Sequence, residues 1–141
     1  HDAMGEKLRA AGGEFGATTG RPRRCGWIDL PQLQYTIMVN GVTRLVITKV
    51  DVLNEFEEIQ AATAYSVDGA ETVRLPYDLC EIEATPVFTS YPGWQASLSE
   101  ARAFGDFPRA LQSYLEVLEK KLEVPVSMVS TGPGRNELVV R

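Results

Sequence analysis

The segment from Pro108 to Val129 constrains the fold more than any other part of the chain. Pro108 marks a helix start. Leu111, Tyr114, Leu115, Leu118 and Leu122 then recur three and four residues apart, with Glu116, Glu119, Lys120 and Lys121 largely off that stripe. Shortly afterwards the pattern becomes Val126 to Val129, a short apolar run that reads as a buried strand. The stripe is therefore core, not a cofactor box.

The remaining elements agree with helices mixed among strands. Residues 2–11 read as a helix capped by Asp2 and stopped by Gly12-Gly13. Asp29 and Pro31 start a second helix, whose Leu33, Ile37 and Met38 recur at helical spacing until Asn40-Gly41. Leu45-Val46-Ile47 reads as another buried strand, of the parallel kind. Residues 57–67 alternate, placing Ile59, Ala61, Thr63, Tyr65 and Val67 on one face. Asp68-Gly69 then makes the tight turn to a hairpin strand at Thr72 to Leu75. Residues 76–83 are irregular, Pro86 to Tyr91 forms a strand ending at Pro92-Gly93, and Leu138 to Val140 is a last short strand. The expected fold class is α/β, a mixed sheet with flanking helices and one β-hairpin, with no repeat or linker.

Length and composition bound what such a unit can do. At 141 residues and 44% hydrophobic, the chain holds one core and is too short for two ordinary domains. No apolar run approaches the roughly 20 residues that cross a bilayer, and no signal segment opens the chain, so a cytoplasmic location is expected. Cys25, Cys80 and the single His1 argue against a disulfide scaffold, zinc and histidine catalysis. A net charge of -5 sets up no global attraction to nucleic acid, so any anion site must be local. The sequence starts at His1 and runs straight into a helix, as a piece of a longer protein would.

Three segments could carry chemistry. Ligands of open α/β sheets bind beyond the carboxyl ends of strands, and two such ends here are Thr48-Lys49-Val50-Asp51 and Ser130-Thr131-Gly132-Pro133. The Asp51 carboxylate offers two adjacent acceptors, a match for the N1–H and N2–H2 donors of guanine, while the Lys49 stem can lie along the base. Adenine lacks that donor pair. A solvated strand end is the alternative for either motif alone. In the third segment, Gly16-Ala17-Thr18-Thr19-Gly20-Arg21-Pro22-Arg23-Arg24, hydroxyls, freed amides and guanidinium forks suit a carboxylate or phosphate. Its alternative is a surface basic patch for nucleic acid or a partner. Tyr91-Pro92-Gly93-Trp94 reads as packing at a chain reversal, and Cys25 and Cys80 as small buried or half-buried groups.

Taken together in order and spacing, Gly13 to Trp27, Thr48 to Leu53, Tyr91 to Trp94 and Ser130 to Pro133 closely resemble the C-terminal third of adenylosuccinate synthetases. The resemblance runs from end to end of the chain and implies the C-terminal part of that P-loop NTPase-like fold. It also implies a GTP-dependent ligase of purine biosynthesis. Inosine monophosphate (IMP), L-aspartate and GTP give adenylosuccinate, GDP and phosphate with Mg2+, the inosine O6 being phosphorylated before the aspartate amine displaces phosphate. By that resemblance Ala17, Thr18, Thr19, Gly20, Arg21, Pro22 and Arg23 hold aspartate, Arg21 bridging to the nucleotide ribose and Arg23 reaching the GTP side. Lys49, Val50 and Asp51 read guanine, and Ser130, Thr131 and Gly132 close over the base. Family members are homodimers. Their phosphate loop, catalytic Asp and His, and most inosine contacts precede this region, and nothing like Gly-Asp-Glu-Gly-Lys-Gly-Lys occurs here. The expectation is a piece without catalytic residues, inactive alone. Gly134 stands where the family usually has Asp, and Val50 and Ile28 replace commoner Leu and Phe.

Overall fold

The computed structural model describes residues 2–141, so His1 lies outside it. Asp2 caps helix α1 (Ala3–Gly12), its Oδ1 accepting from the Gly5 N–H at 2.7 Å, and Gly13 closes the helix by donating to the Arg9 and Ala10 carbonyls. Asp29 does two jobs. It ends the short strand β1 (Ile28–Asp29), and its Oδ1 accepts from the Gln32 N–H at 3.0 Å to start α2 (Leu30–Asn40). Its other oxygen accepts from the Tyr65 hydroxyl. One carboxylate thus locks β1, α2 and the strand that carries Tyr65.

That strand, β3 (Glu58–Val67), is the spine of the first sheet. Strand β5 (Ala84–Pro92) runs antiparallel along its whole length. The opposite edge is shared by β1, parallel at Ala61 and Ala62, and β4 (Ala70–Thr72), antiparallel at Tyr65 to Val67. The β3–β4 turn has positive φ at both Asp68 (50°) and Gly69 (79°), the primed two-residue turn whose twist matches its strands. In a second sheet, β6 (Val126–Ser130) lies between β2 (Leu45–Ile47), parallel to it, and β7 (Leu138–Val140), antiparallel. Helix α3 (Arg109–Leu122) buries Leu111, Tyr114, Leu115, Leu118 and Leu122 as its spacing requires. They share one core with Leu8, Phe56, Ile59, Trp94, Val126 and Val139.

The α/β class stands, with two mixed sheets in place of one. Alternation along 57–67 fails at Thr63. The register with β5 slips between Ala62 and Ala64, so both alanines are buried and the Thr63 hydroxyl meets Thr89 Oγ1 at 3.0 Å. A bulge inserts a residue that no two-residue period can anticipate. The hairpin partner is Ala70–Thr72, not 72–75, because a two-residue turn must pair Val67 with Ala70. Strand β5 is longer than Pro86 to Tyr91 at both ends. Strand β2 is parallel but lies at a sheet edge, with Val46 50% exposed, and Met38 of α2 is 70% exposed. Cys25 is half-buried, whereas Cys80 is exposed.

The aromatic turn after β5 is packing. The Gly93 N–H donates to the Glu57 carbonyl at 2.8 Å, and a Cβ on Gly93 would lie 1.7 Å from the Phe56 carbonyl oxygen. Only glycine allows this approach. Trp94 is buried beside Tyr114, its indole N–H donating to Asn54 Oδ1 at 2.9 Å. In urea unfolding, Leu115→Ala should lose about 2–5 kcal/mol by opening a cavity. Gly93→Ala should lose about 1–3 kcal/mol or more by overpacking against a backbone that has nowhere to move. Unchanged midpoints would contradict this account of the core.

Candidate functional site

Because β2 and β6 run parallel, with Ile47 opposite Val129, the turns leaving them emerge side by side. Lys49 and Asp51 follow β2, while Ser130, Gly132 and Pro133 end or follow β6. With the last turn of α1 they line a cleft of about 500 Å³. Lys49 has φ 59°, the left-handed region that a non-glycine residue occupies at a cost of about 1–3 kcal/mol. Its ammonium donates to the Gly12 carbonyl at 2.7 Å and to the Glu14 carboxylate.

Asp51 sits in the 3-10 turn Val50–Leu53. Its Oδ1 is buried with no hydrogen-bond partner, the one such side-chain atom among the described residues. An unmet buried acceptor costs about 1–3 kcal/mol. Asp51 also lines the cleft, so it brings there a carboxylate with one oxygen whose hydrogen-bonding capacity is unmet within the chain.

The β6–β7 loop is fixed from behind. Ser130 Oγ donates to the Gly132 carbonyl at 2.9 Å, and the Thr131 N–H and hydroxyl donate to the Glu137 carbonyl at 2.8 and 3.3 Å. The Glu137 carboxylate accepts from the Gly134 N–H at 2.5 Å, and a Cβ on Gly132 would come within 2.6 Å of its oxygens. A Cβ on Gly134 would meet the same carboxylate at 2.7 Å. Glycine at 134 therefore leaves this carboxylate room to hold the turn.

The basic loop is built as a narrow hairpin. Phe15 bridges Pro22, the Arg23 N–H donates to the Glu14 carbonyl at 3.0 Å, and the Gly16 and Gly20 N–H groups donate to the Arg21 and Gly16 carbonyls, each at 2.8 Å. Thr19 Oγ1 accepts from the Arg21 N–H at 3.3 Å. Ala17, Thr18, Thr19 and Gly20 form an exposed tip, and Arg21, Pro22 and Arg23 an exposed return. The Arg23 guanidinium donates to one Glu14 oxygen at 2.8 Å, while Lys49 donates to the other. Lys49 first, then Arg23, holds the Glu14 carboxyl below its ordinary value.

Of the residues singled out in the sequence, Lys49, Asp51, Ser130 and Gly132 share the cleft. Val50 does not line it and lies in the core, and Thr131 is buried with its hydroxyl turned to Glu137. Sequence reasoning missed Glu14, Glu137 and the end of α1. Glu14 carried one signal, an acid at the mouth of a basic loop. Glu137 carried none.

The sequence model of the adenylosuccinate synthetase family matches residues 1–139. The chain belongs to the adenylosuccinate synthetase family. An adenylosuccinate synthetase of Cytophaga hutchinsonii is 47% identical over 142 residues, covering 100% of this chain and 33% of the relative. That of Chlorobium phaeovibrioides is 50% identical over 141 residues, 99% of this chain and 32% of the relative. A solved structure of a fully ligated adenylosuccinate synthetase from Plasmodium falciparum superposes with a TM-score of 0.90 at 32% identity, covering 100% of this chain and 34% of that one. The chain thus spans about a third of the length of these adenylosuccinate synthetases. Among the described residues no helix is long and apolar enough to cross a membrane. None of them forms a group of three His, Cys, Asp or Glu able to hold a metal ion. The described residues thus offer no such group for the Mg2+ that the family resemblance implies.

The lowered Glu14 value fixes the sign of a pH effect. Its ion pairs are present above the ordinary value of 4.5 and are lost as pH falls through the lower folded value. A carboxyl-carbon NMR titration should put Glu14 below 4.5 and return it toward that value in Lys49→Met. A midpoint indifferent to the lysine would contradict the pairing.

Proposed function

We propose that this chain is one unit, the C-terminal region of an adenylosuccinate synthetase, supplying guanine and aspartate recognition to a larger enzyme. That enzyme ligates IMP and L-aspartate to adenylosuccinate with GTP hydrolysis. The observation that carries the reading is the Asp51 carboxylate, which lines the cleft with Lys49, Ser130 and Gly132 and keeps one oxygen without a partner in the chain.

A carboxylate there accepts the N1–H and N2–H2 of guanine with its two oxygens and leaves adenine without a matching donor pair. The aliphatic stem of Lys49 lies along the base, its ammonium already occupied by Gly12 and Glu14. Ser130, Thr131 and Gly132 supply the turn that closes the cleft. The carboxylates of L-aspartate suit the exposed loop tip. Thr18 and Thr19 offer hydroxyls, the backbone from Ala17 to Pro22 sets their path, and Arg21 and Arg23 offer planar two-donor forks. Family likeness extends this reading to a cytoplasmic homodimer. No residue of this sequence acts as general base or phosphate-stabilising acid in it, so the isolated chain binds and does not turn over.

Calorimetry with GDP and ADP tests the base preference. GDP should bind the chain at least about tenfold more tightly than ADP, a difference of about 1.4 kcal/mol. Asp51→Asn should shift preference from GDP toward xanthosine diphosphate, since its amide donates to the xanthine O2. Equal binding of GDP and ADP, or an unaltered GDP-to-xanthosine ratio in the variant, removes Asp51 from its role. Adenylosuccinate made by the isolated chain would refute its inactivity.

A further inference from the structure

We propose that Glu14 is a positioning residue that couples the aspartate loop to the guanine cleft through its two carboxylate oxygens. The inference rests on the function proposed above and adds a residue that the resemblance does not assign. Oε2 accepts from Arg23, the loop's guanidinium, and Oε1 from Lys49, the lysine of the cleft. The three groups lie 9 and 35 residues apart in sequence, so folding alone brings them together.

An isolated surface ion pair holds little in place. This one is braced by backbone at every corner. The Arg23 N–H donates to the Glu14 carbonyl at 3.0 Å, the Arg23 carbonyl accepts from Arg9 Nε at 2.7 Å, and the Lys49 ammonium also donates to the Gly12 carbonyl at 2.7 Å. Lys49 meets Glu14 from a left-handed backbone that few non-glycine residues adopt. Glu14 follows directly on the cap of α1, the helix whose last turn floors the cleft. The carboxylate therefore sets the direction of both the Arg23 fork and the Lys49 stem.

The coupling follows from competition for Arg23. A ligand carboxylate that takes the Arg23 fork draws it from Glu14, and Glu14 is left with Lys49 as its one cation. Occupancy at the loop thus changes the hold on the lysine that flanks the base. By linkage, a base in the cleft changes the loop's affinity for a carboxylate by the same factor.

The test uses the whole chain with Glu14→Gln, which keeps the side chain's shape and removes its charge. Calorimetry with GDP should show binding weakened by about 5- to 10-fold. The melting temperature should stay within about 2 °C, as expected for loss of an exposed pair. In competitive amine labelling read by mass spectrometry, Lys49 should be protected relative to Lys7, Lys120 and Lys121 in the unaltered chain and lose that protection in Glu14→Gln. Arg23→Gln should alter Lys49 labelling when Glu14 is present and leave it unaltered on the Glu14→Gln background. Equal GDP affinity in the two chains overturns the positioning role, as does a large fall in melting temperature that accounts for the loss. An effect of Arg23→Gln that persists without the Glu14 charge overturns the coupling. If the unaltered chain fails to bind GDP, the guanine reading itself falls, and this inference with it.

Discussion

Two parallel strands joined by a long excursion must deliver their exits to the same edge, and the pairing of β2 with β6 does this across some 80 residues of intervening chain. The Leu45 N–H donates to the Pro125 carbonyl at 2.9 Å, and Ser127 Oγ donates to the Leu45 carbonyl at 3.1 Å. These bonds anchor Leu45 opposite Val126, and past an irregularity between Leu45 and Val46 the pairs Val46–Met128 and Ile47–Val129 set the register at the strand exits. A slip of one residue would turn Val129 out of the core and carry Ser130 away from Lys49. Everything proposed for the cleft depends on that register.

The excursion between the strands contains most of the first sheet and all of α3. Helix α3 seats its leucine stripe in the core, and its Glu119 then reaches forward to accept from the Val126 N–H at 2.7 Å, fixing where β6 begins. The second Glu119 oxygen accepts from Arg141 at 2.5 Å. Other acids act likewise. Asp106 accepts from the Arg102 and Ala103 N–H groups, each at 2.9 Å, and those bonds hold its carboxyl below the usual range. Asp2 and Asp29 start helices, and Glu137 holds the loop over the cleft. Five of the 19 acidic side chains are thus engaged with backbone donors or a nearby cation. Asp51 differs from these acids in keeping a buried oxygen without a partner.

Legibility in the sequence tracked how local each cause was. The caps at Asp2 and Asp29, the turn at Asp68-Gly69 and the stripe of α3 are written in residues no more than four apart, and each stands where the sequence placed it. The bulge at Thr63 was hidden because it depends on how β5 meets β3, and the exposure of Val46 because a composition suited to burial does not reveal that one edge lacks a neighbour. The same reason explains Met38 and the buried Thr131. Helical spacing places a side chain on a stripe, and only the surrounding elements decide whether that stripe is covered.

By itself the sequence determined the helices, the turns and the segments with chemistry in them, because these follow from spacing, backbone restriction and the residue types present. The tertiary structure alone decided which of those segments form one place. Parallel pairing set Lys49 and Asp51 beside Ser130 and Gly132, while packing withdrew Val50 and Thr131 from the cleft that their neighbours line. The close of α1 brought Glu14 between Arg23 and Lys49. A carboxylate's partners in space are fixed by strand register and helix ends, and no linear spacing records those.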